Sequence, residues 1–478
     1  MGKDNTKLKL FLENMLVYGL GGTISKIVPV IMVPIVTRLL PDTSYYGLSD
    51  LCTTVISFGS AVAVLGMYDA MYRLYFENDG EDYKKTVCST ALFFTLIMSV
   101  IVFVIMTLFR NVLSEFVFGG NQYTYLIWIA AFATVIGSSN NIIAAPTRMQ
   151  NKRKQYIFVH TLTSVLSYAI SIPLILSGHY IIALPIGMLL SKITIETIYW
   201  YLNKEWFKIK SIDFSMLKPL LKIAVPLFPT FLIYWIFNSS DKLMIRYYLD
   251  AAQVGIYSTG SKLGHCSQLI YTAFSGGWQF FAFSTMKEKN QVQSNSRIFE
   301  YLGAISFGVS LFVFALSKPI FQILFTGDYI LGYVVAPFLF LAPLLQMLFQ
   351  VAGNQFLVIK KSWPITLTLL GGAILNVCFN IVFIPILGIE GASIATLLGY
   401  AIAIFVCVVV LCRIRLMQIS YRFVVVLLLS IAYILAWRIV FCKSIIISFF
   451  IAIIISFVFA FLYRTEFSRI LKQIVRRY

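Results

Sequence analysis

Of 478 residues, 59% are hydrophobic and 12% charged, with a mean hydropathy of +0.85. That is too little polar surface for a water-soluble globular protein of this length. The formal charge of +18 does not indicate a nucleic-acid partner, because the basic residues are spread between apolar segments instead of gathered in one patch.

Apolar runs of about 20 residues, enough to cross roughly 30 Å of hydrocarbon, occur near 13–37, 45–72, 86–109, 122–147, 156–176, 180–202, 217–239, 252–282, 299–317, 331–357, 363–385, 389–412, 421–440 and 444–463. They predict an all-α membrane protein with 14 transmembrane helices; continuous apolarity without period-two alternation argues against a barrel. Of the 38 Lys and Arg, 28 fall in segments on the side of the N-terminus and seven (Arg38, Arg110, Lys242, Arg246, Lys318, Arg438, Lys443) on the other. By the positive-inside rule both termini are therefore expected in the cytoplasm, with an even number of spans. The N-terminal apolar run, with Lys26 within it and no evident cleavage site, reads as the first span and not as a signal peptide. The seven cysteines lack CxxC spacing and histidine partners, so no metal or disulfide framework is expected.

In chain order, the first span carries Asn14, Tyr18, Gly22 and Lys26, and the second Asp50, Thr53, Ser57 and Ser60. At the inner end of the second span, Asp69 and Arg73 lie one helical turn apart beside Tyr72 and Tyr75, either an interfacial salt bridge with an aromatic belt or part of an inner gate. The acidic loop Glu77–Asp82 lacks calcium-ligand spacing. On the sixth span Lys192 and Glu196 are also one turn apart, which predicts an ion pair; the alternative makes Glu196 the site of H+ or Na+ coupling. The seventh span opens on Pro226 and Pro229, a plausible bend, and continues through Thr230, Tyr234, Asn238 and Asp241. The eighth has a polar stripe at helical spacing: Ser258, Lys262, His265, Gln268, Thr272, Ser275 and Gln279.

A phrase occurs twice. Arg38, Asp42 and Gly47 recur as Arg246, Asp250 and Gly255 at a single offset of 208 residues, and Gly178 matches Gly388 at 210. The chain thus reads as two related halves in the same orientation: an N-terminal lobe over 1–203, a basic cytoplasmic linker over 204–216, a C-terminal lobe over 217–415, and an extra helix pair with a basic tail over 416–478. Two six-helix lobes of this kind characterise transporters whose substrate site lies between the repeats. A cation near the bilayer centre costs roughly 2.5–3.5 kcal/mol, so Lys26 and Lys262 call for a reason. One is a wet cationic cavity for an anionic headgroup such as a diphosphate, lined also by His265, Gln268, Asn238, Asp241 and Asp50; the other is pairing with Asp50 or Asp241 to stabilise packing. No Walker loop, dinucleotide fingerprint or nucleophile elbow is present, so no catalytic residues, enzymatic activity or cofactor are expected.

Three phrases carry a resemblance: Pro34–Leu40 through Gly47, Asn238–Ile245 through Val254–Ser258, and Ile384–Thr396. With these in order over about the first 415 residues, the sequence resembles the polysaccharide-transporter branch of the superfamily that includes multidrug and toxin extruders and the lipid II flippase. The resemblance implies a flippase that carries an undecaprenyl-diphosphate-linked oligosaccharide from the inner to the outer leaflet of a bacterial plasma membrane by alternating access. Its implied partners are that lipid, the surrounding membrane lipids, and a polymerase and glycosyltransferases of surface-polysaccharide assembly. The first spans hold few arginines, which departs from the lipid II branch and puts a bidentate arginine clamp in question. The competing reading is a cation-coupled small-molecule or drug antiporter of the same superfamily.

Overall fold

The computed structural model describes residues 27–286, 290–440 and 444–464. Among these residues every regular element is helical, and twelve helical segments are long and apolar enough to cross a membrane. They account for twelve of the fourteen expected spans. The first expected span lies mostly outside the described residues, where only α1, Ile27–Leu39, is seen. The eighth is divided into α12 (Ala251–Gly264) and α13 (Gln268–Ser284) by a 3-10 turn over His265–Ser267, and neither piece alone is of spanning length.

The chain forms two compact units. The first contains the described residues up to Thr259 together with Asn376–Ala392. Its helices are α1, α2 (Thr43–Val64), α3 (Met67–Tyr75), α4 (Glu81–Leu108), α5 (Arg110–Phe118), α6 (Thr124–Ile143), α7 (Ala145–Met149), α8 (Arg153–Leu176), α9 (Tyr180–Asn203), α10 (Leu217–Trp235), α11 (Asp241–Tyr248) and the start of α12. α6 sits centrally, packed on α2, α4 and α9, with α8 against α9. Small residues allow this closeness: a Cβ on Gly187 of α9 would lie 2.0 Å from Ser171 Oγ of α8. An apolar cluster of Met67, Met71, Val87, Ala91, Ile142, Tyr199 and Leu220 fills one end of the unit. α2 stops where Leu65 and Gly66 both take left-handed backbone, φ 48° and 76°. Gly66 has a second reason to be glycine, since a Cβ there would sit 2.5 Å from the Ala224 carbonyl oxygen of α10.

The second unit contains Gly260–Leu375 and the described residues from Ser393. α14 (Gln291–Leu324) is its longest helix; α15 (Ala336–Val358), α18 (Tyr421–Ile439) and α19 (Ile445–Leu462) pack on it. α16 (Trp363–Leu387) as far as Leu375 and α17 (Ile389–Arg413) from Ser393 also belong to this unit. The C-terminal pair is anchored by polar bonds as well as apolar contact. Glu300 of α14 accepts from the Ser420 backbone N–H (2.6 Å), Ser420 Oγ (2.7 Å) and Tyr463 OH (3.3 Å). Further along, Tyr433 OH donates to the Leu311 carbonyl at 3.2 Å. A buried carboxylate with several donors is well compensated, so α18 and α19 are docked on α14 and do not lie loose in lipid.

Candidate functional site

The repeated phrase explains itself once its residues are placed. Asp42 is the N-cap of α2, its Oδ1 accepting from Ser44 N at 2.8 Å, and Asp250 plays the same part for α12, accepting from Gln253 N at 2.8 Å. Each glycine is a crossing point. A Cβ on Gly47 would lie 1.9 Å from the Ala251 carbonyl oxygen, and one on Gly255 would lie 2.0 Å from the carbonyl oxygen of Thr43. Since Thr43 and Ala251 are also repeat equivalents, α2 and α12 meet in a reciprocal, two-fold-like contact that only glycine permits. Arg246 closes a neighbouring helix end: its Nε donates to the Phe118 carbonyl at 3.0 Å, over Gly119, where φ is +79°.

One turn beyond the crossing lies a buried polar cluster. Asp50 Oδ2 receives Lys242 Nζ at 2.7 Å and Ser258 Oγ at 2.6 Å. Asp50 and Ser258 are 208 residues apart, so this bond too joins equivalent positions of the two repeats. Asp241 accepts from the Lys242 backbone N–H at 2.9 Å and from Tyr257 OH. Asp50 and Asp241 are only 6% and 4% exposed. The sequence puts Lys242 in an outer loop; instead it continues the helix, and its ammonium is the partner of Asp50. The reason is local: Ile236–Ser240 form a π-helical turn between α10 and α11. The extra residue in that turn changes which side chains face inward and carries the helix on through Tyr248. The helix runs through Pro226 and Pro229 without interruption, so the irregularity begins about two turns after Pro229.

Among the remaining candidates, Lys26 lies outside the described residues. Lys262 is partly buried on α12 and interacts with the surrounding protein. His265 lies in the 3-10 turn, its Nδ1 at 2.8 Å from the Ser261 carbonyl and 3.1 Å from Ser261 Oγ. Gln268 begins α13 and is partly buried. The 3-10 turn breaks the stripe that the sequence presents as one straight face: Ser258 serves Asp50, Thr272 bonds the Gln268 carbonyl at 2.7 Å, and Ser275 accepts from Gln350 at 3.0 Å. Asn238 is exposed on the π turn and donates to the Tyr234 carbonyl at 2.6 Å. On α2, Ser57 accepts from Trp235 Nε1 at 3.0 Å, so Asp50 and Ser57 of its polar face are both taken up by bonds to neighbouring helices.

Two expected ion pairs do not form among the described residues. Asp69 and Arg73 are both exposed on α3; Asp69 has Arg148 for its electrostatic neighbour, and Arg148 also donates to Tyr68 OH at 2.9 Å. On α9, Glu196 accepts from Ser139 Oγ of α6, while its other oxygen is buried without a protein donor. Lys192 points instead toward Gly137, its Nζ 2.7 Å from where a Cβ on that glycine would stand. One-turn spacing brings two side chains within reach of each other, but here a serine on the next helix offers the carboxylate a shorter route.

No match was found among curated proteins. Among solved structures, the fold is similar to that of a lipid II flippase, MurJ, in an inward closed conformation, with 15% identity, a TM-score of 0.72 and coverage of 95% of this chain and all of that one. It is also similar to a multidrug resistance MATE family transporter of the MOP superfamily, inward-facing (13% identity, TM-score 0.62, 83% and 94% covered) and outward-facing (17%, 0.57, 84% and 95%). A family model described as polysaccharide biosynthesis protein matches residues 35–331, a stretch that takes in both copies of the repeated phrase, the reciprocal glycine crossing and the buried Asp50–Lys242 pair. On that match the chain belongs to the polysaccharide biosynthesis protein family, and its fold is similar to that of the flippase and transporter structures.

Proposed function

We propose that this protein is a flippase that moves an undecaprenyl-diphosphate-linked oligosaccharide from the inner to the outer leaflet of a bacterial plasma membrane for the assembly of a surface polysaccharide. The observation that carries the reading is the family match over 35–331 on a chain whose fold is shared with a lipid II flippase. Lys26 and Lys262 are assigned to the sugar diphosphate, with His265, Gln268 and Asn238 beside them; lysine point charges hold such a group more loosely than a bidentate arginine and let it go. The N-terminal lobe over 1–203 and the C-terminal lobe over 217–415 alternate access by rocking, and Asp69 and Arg73 are assigned to the inner gate. The reciprocal helix crossing supports a pivot, because interlocked backbones can rotate against one another but cannot separate without losing the buried Asp50–Ser258 bond. Both termini are assigned to the cytoplasm, and the polymerase and glycosyltransferases of the same glycan are the expected partners.

A second reading, a cation-coupled antiporter, is favoured by one observation: one oxygen of the partly buried Glu196 carboxylate is enclosed without a protein donor, a suitable place for H+ or Na+. The two readings separate in cells lacking the protein. A flippase predicts lipid-linked sugar accumulating on the inner leaflet and loss of surface glycan. Unchanged glycan display with altered dye sensitivity would establish the antiporter instead.

A further inference from the structure

An open apolar groove on the second unit has no part in the cycle described above. Its walls are Trp363, Leu367, Gly371 and Leu375 of α16 and Val406 and Val410 of α17, enclosing about 470 Å³. A Cβ on Gly371 would meet nothing within 4 Å, and Leu367 and Trp363 are 55% and 62% exposed. On helices that span a membrane, such a groove is filled by a lipid chain, since no polar molecule would leave water for it.

The groove has a depth and a polarity. From Trp363 to Leu375 the wall rises about 18 Å at 1.5 Å per residue, a little over half of the roughly 30 Å hydrocarbon core. It therefore serves one leaflet. Lys361 and Ile414 line the end at which α15 finishes, α16 begins and α17 finishes. Lys360, Lys361, Arg413 and Arg415 gather there, all exposed. Lys360 and Arg415 both take left-handed backbone, φ 59°, just past the ends of α15 and α17, where glycine is the unstrained choice. The equivalent turns at Gly178 and Gly388 do use glycine. Two helix ends thus keep a basic side chain at the expense of backbone strain, and both stand at the mouth of the groove. Four cations are more than the single charge of a phosphodiester lipid calls for; they suit a diphosphate.

We infer that the groove between α16 and α17 seats the polyprenyl chain of the substrate, with Lys360, Lys361, Arg413 and Arg415 around its diphosphate, in the cytoplasmic leaflet before translocation. This rests on the lipid-linked-substrate reading above. The groove is a waiting site: the chain lies in an apolar channel one leaflet deep while the headgroup is held at the basic rim.

The test uses full-length protein in cells deleted for the native copy, with photoreactive benzoylphenylalanine at the exposed Leu367 position and mass spectrometry of the captured lipid. The expected adduct is a polyprenyl-diphosphate lipid, reduced at least about thirtyfold by the double change Lys361→Glu and Arg415→Glu, since each basic residue near an anionic lipid contributes a factor of about five. Capture of phospholipid alone, or of nothing, in cells whose glycan export is restored overturns the groove and leaves the flippase reading intact. If deletion causes neither inner-leaflet accumulation nor loss of surface glycan, the flippase reading falls and this inference falls with it. Gly371→Trp, which fills the channel, provides a second arm: slowed export at normal membrane abundance is expected, and undiminished export by that variant overturns the proposal. Capture at Leu367 in the otherwise unchanged protein does not depend on how any of these variants folds.

Discussion

Lys242 holds the buried ion pair beside the crossing. It is paired with a carboxylate that is almost fully enclosed, and removing one partner of such a pair leaves a buried charge without compensation. Lys242→Met is therefore expected to lower stability by about 3–5 kcal/mol, read by thermal unfolding in detergent, while adding Asp50→Asn recovers much of the loss. Equal destabilisation in the single and double variants would show that the pair is not the source. Lys262→Ala should behave differently: the lysine is only partly buried, so the protein should reach the membrane in normal amount yet fail to export glycan. Wild-type export by that variant would remove Lys262 from the substrate path. The contrast marks what could be read from sequence. Asp50 and Asp241 stood out as polar residues at helical spacing on apolar spans, but that Ser258 bonds Asp50 across the 208-residue offset is seen only in the fold. Lys242 did not stand out, because a lysine at the edge of an apolar run is ordinarily an anchor in the interface, and the π turn that draws it inward leaves no periodic trace.

Helices were legible wherever apolarity was continuous; their interruptions were not. Twelve expected spans have counterparts of spanning length, whereas the eighth is split by the turn at His265–Ser267. Nothing in its residues announces the split: the turn is held by tertiary bonds, Ser267 Oγ donating to the Phe340 carbonyl at 2.7 Å, and single-sequence periodicity cannot see a partner 73 residues away. The repeat phrase was legible as a pattern but not as a mechanism, since a glycine in an apolar helix is common and only coordinates show that Gly47 and Gly255 touch each other's helices reciprocally. The crossing makes a paired prediction. Gly47→Val and Gly255→Val each force a side chain onto a carbonyl that cannot yield without moving the helix, so each should cost at least the roughly 1–3 kcal/mol of ordinary overpacking. Because the contact is two-fold-like, the two variants should be alike in size, measured by denaturation in detergent and by glycan export. A large effect at one glycine and none at the other would show that the contact is not shared equally by the two helices.

Over the whole chain, charge placement and turn chemistry point to one orientation. The left-handed position after helices that end on the assigned inner side is held by polar or basic residues, Asn151, Lys360 and Arg415, whereas Gly178 and Gly388 hold it on the assigned outer side. Turns on both sides need the same backbone, but only the inner ones also attract anionic lipid. The division of α12 from α13 makes the topology testable, because the count between Gly178 and Gly388 is even only if those two helices cross together as a single span. In a background with the seven native cysteines replaced, Gly120→Cys, Gly178→Cys and Gly388→Cys should react with an impermeant maleimide in intact cells. Gly80→Cys, Asn151→Cys and Lys361→Cys should react only after permeabilisation. Labelling of Gly178→Cys and Gly388→Cys from opposite sides would mean that α12 and α13 do not jointly traverse the bilayer. The two halves would then face opposite ways, and alternating access would have to be rebuilt on an inverted repeat in place of a parallel one.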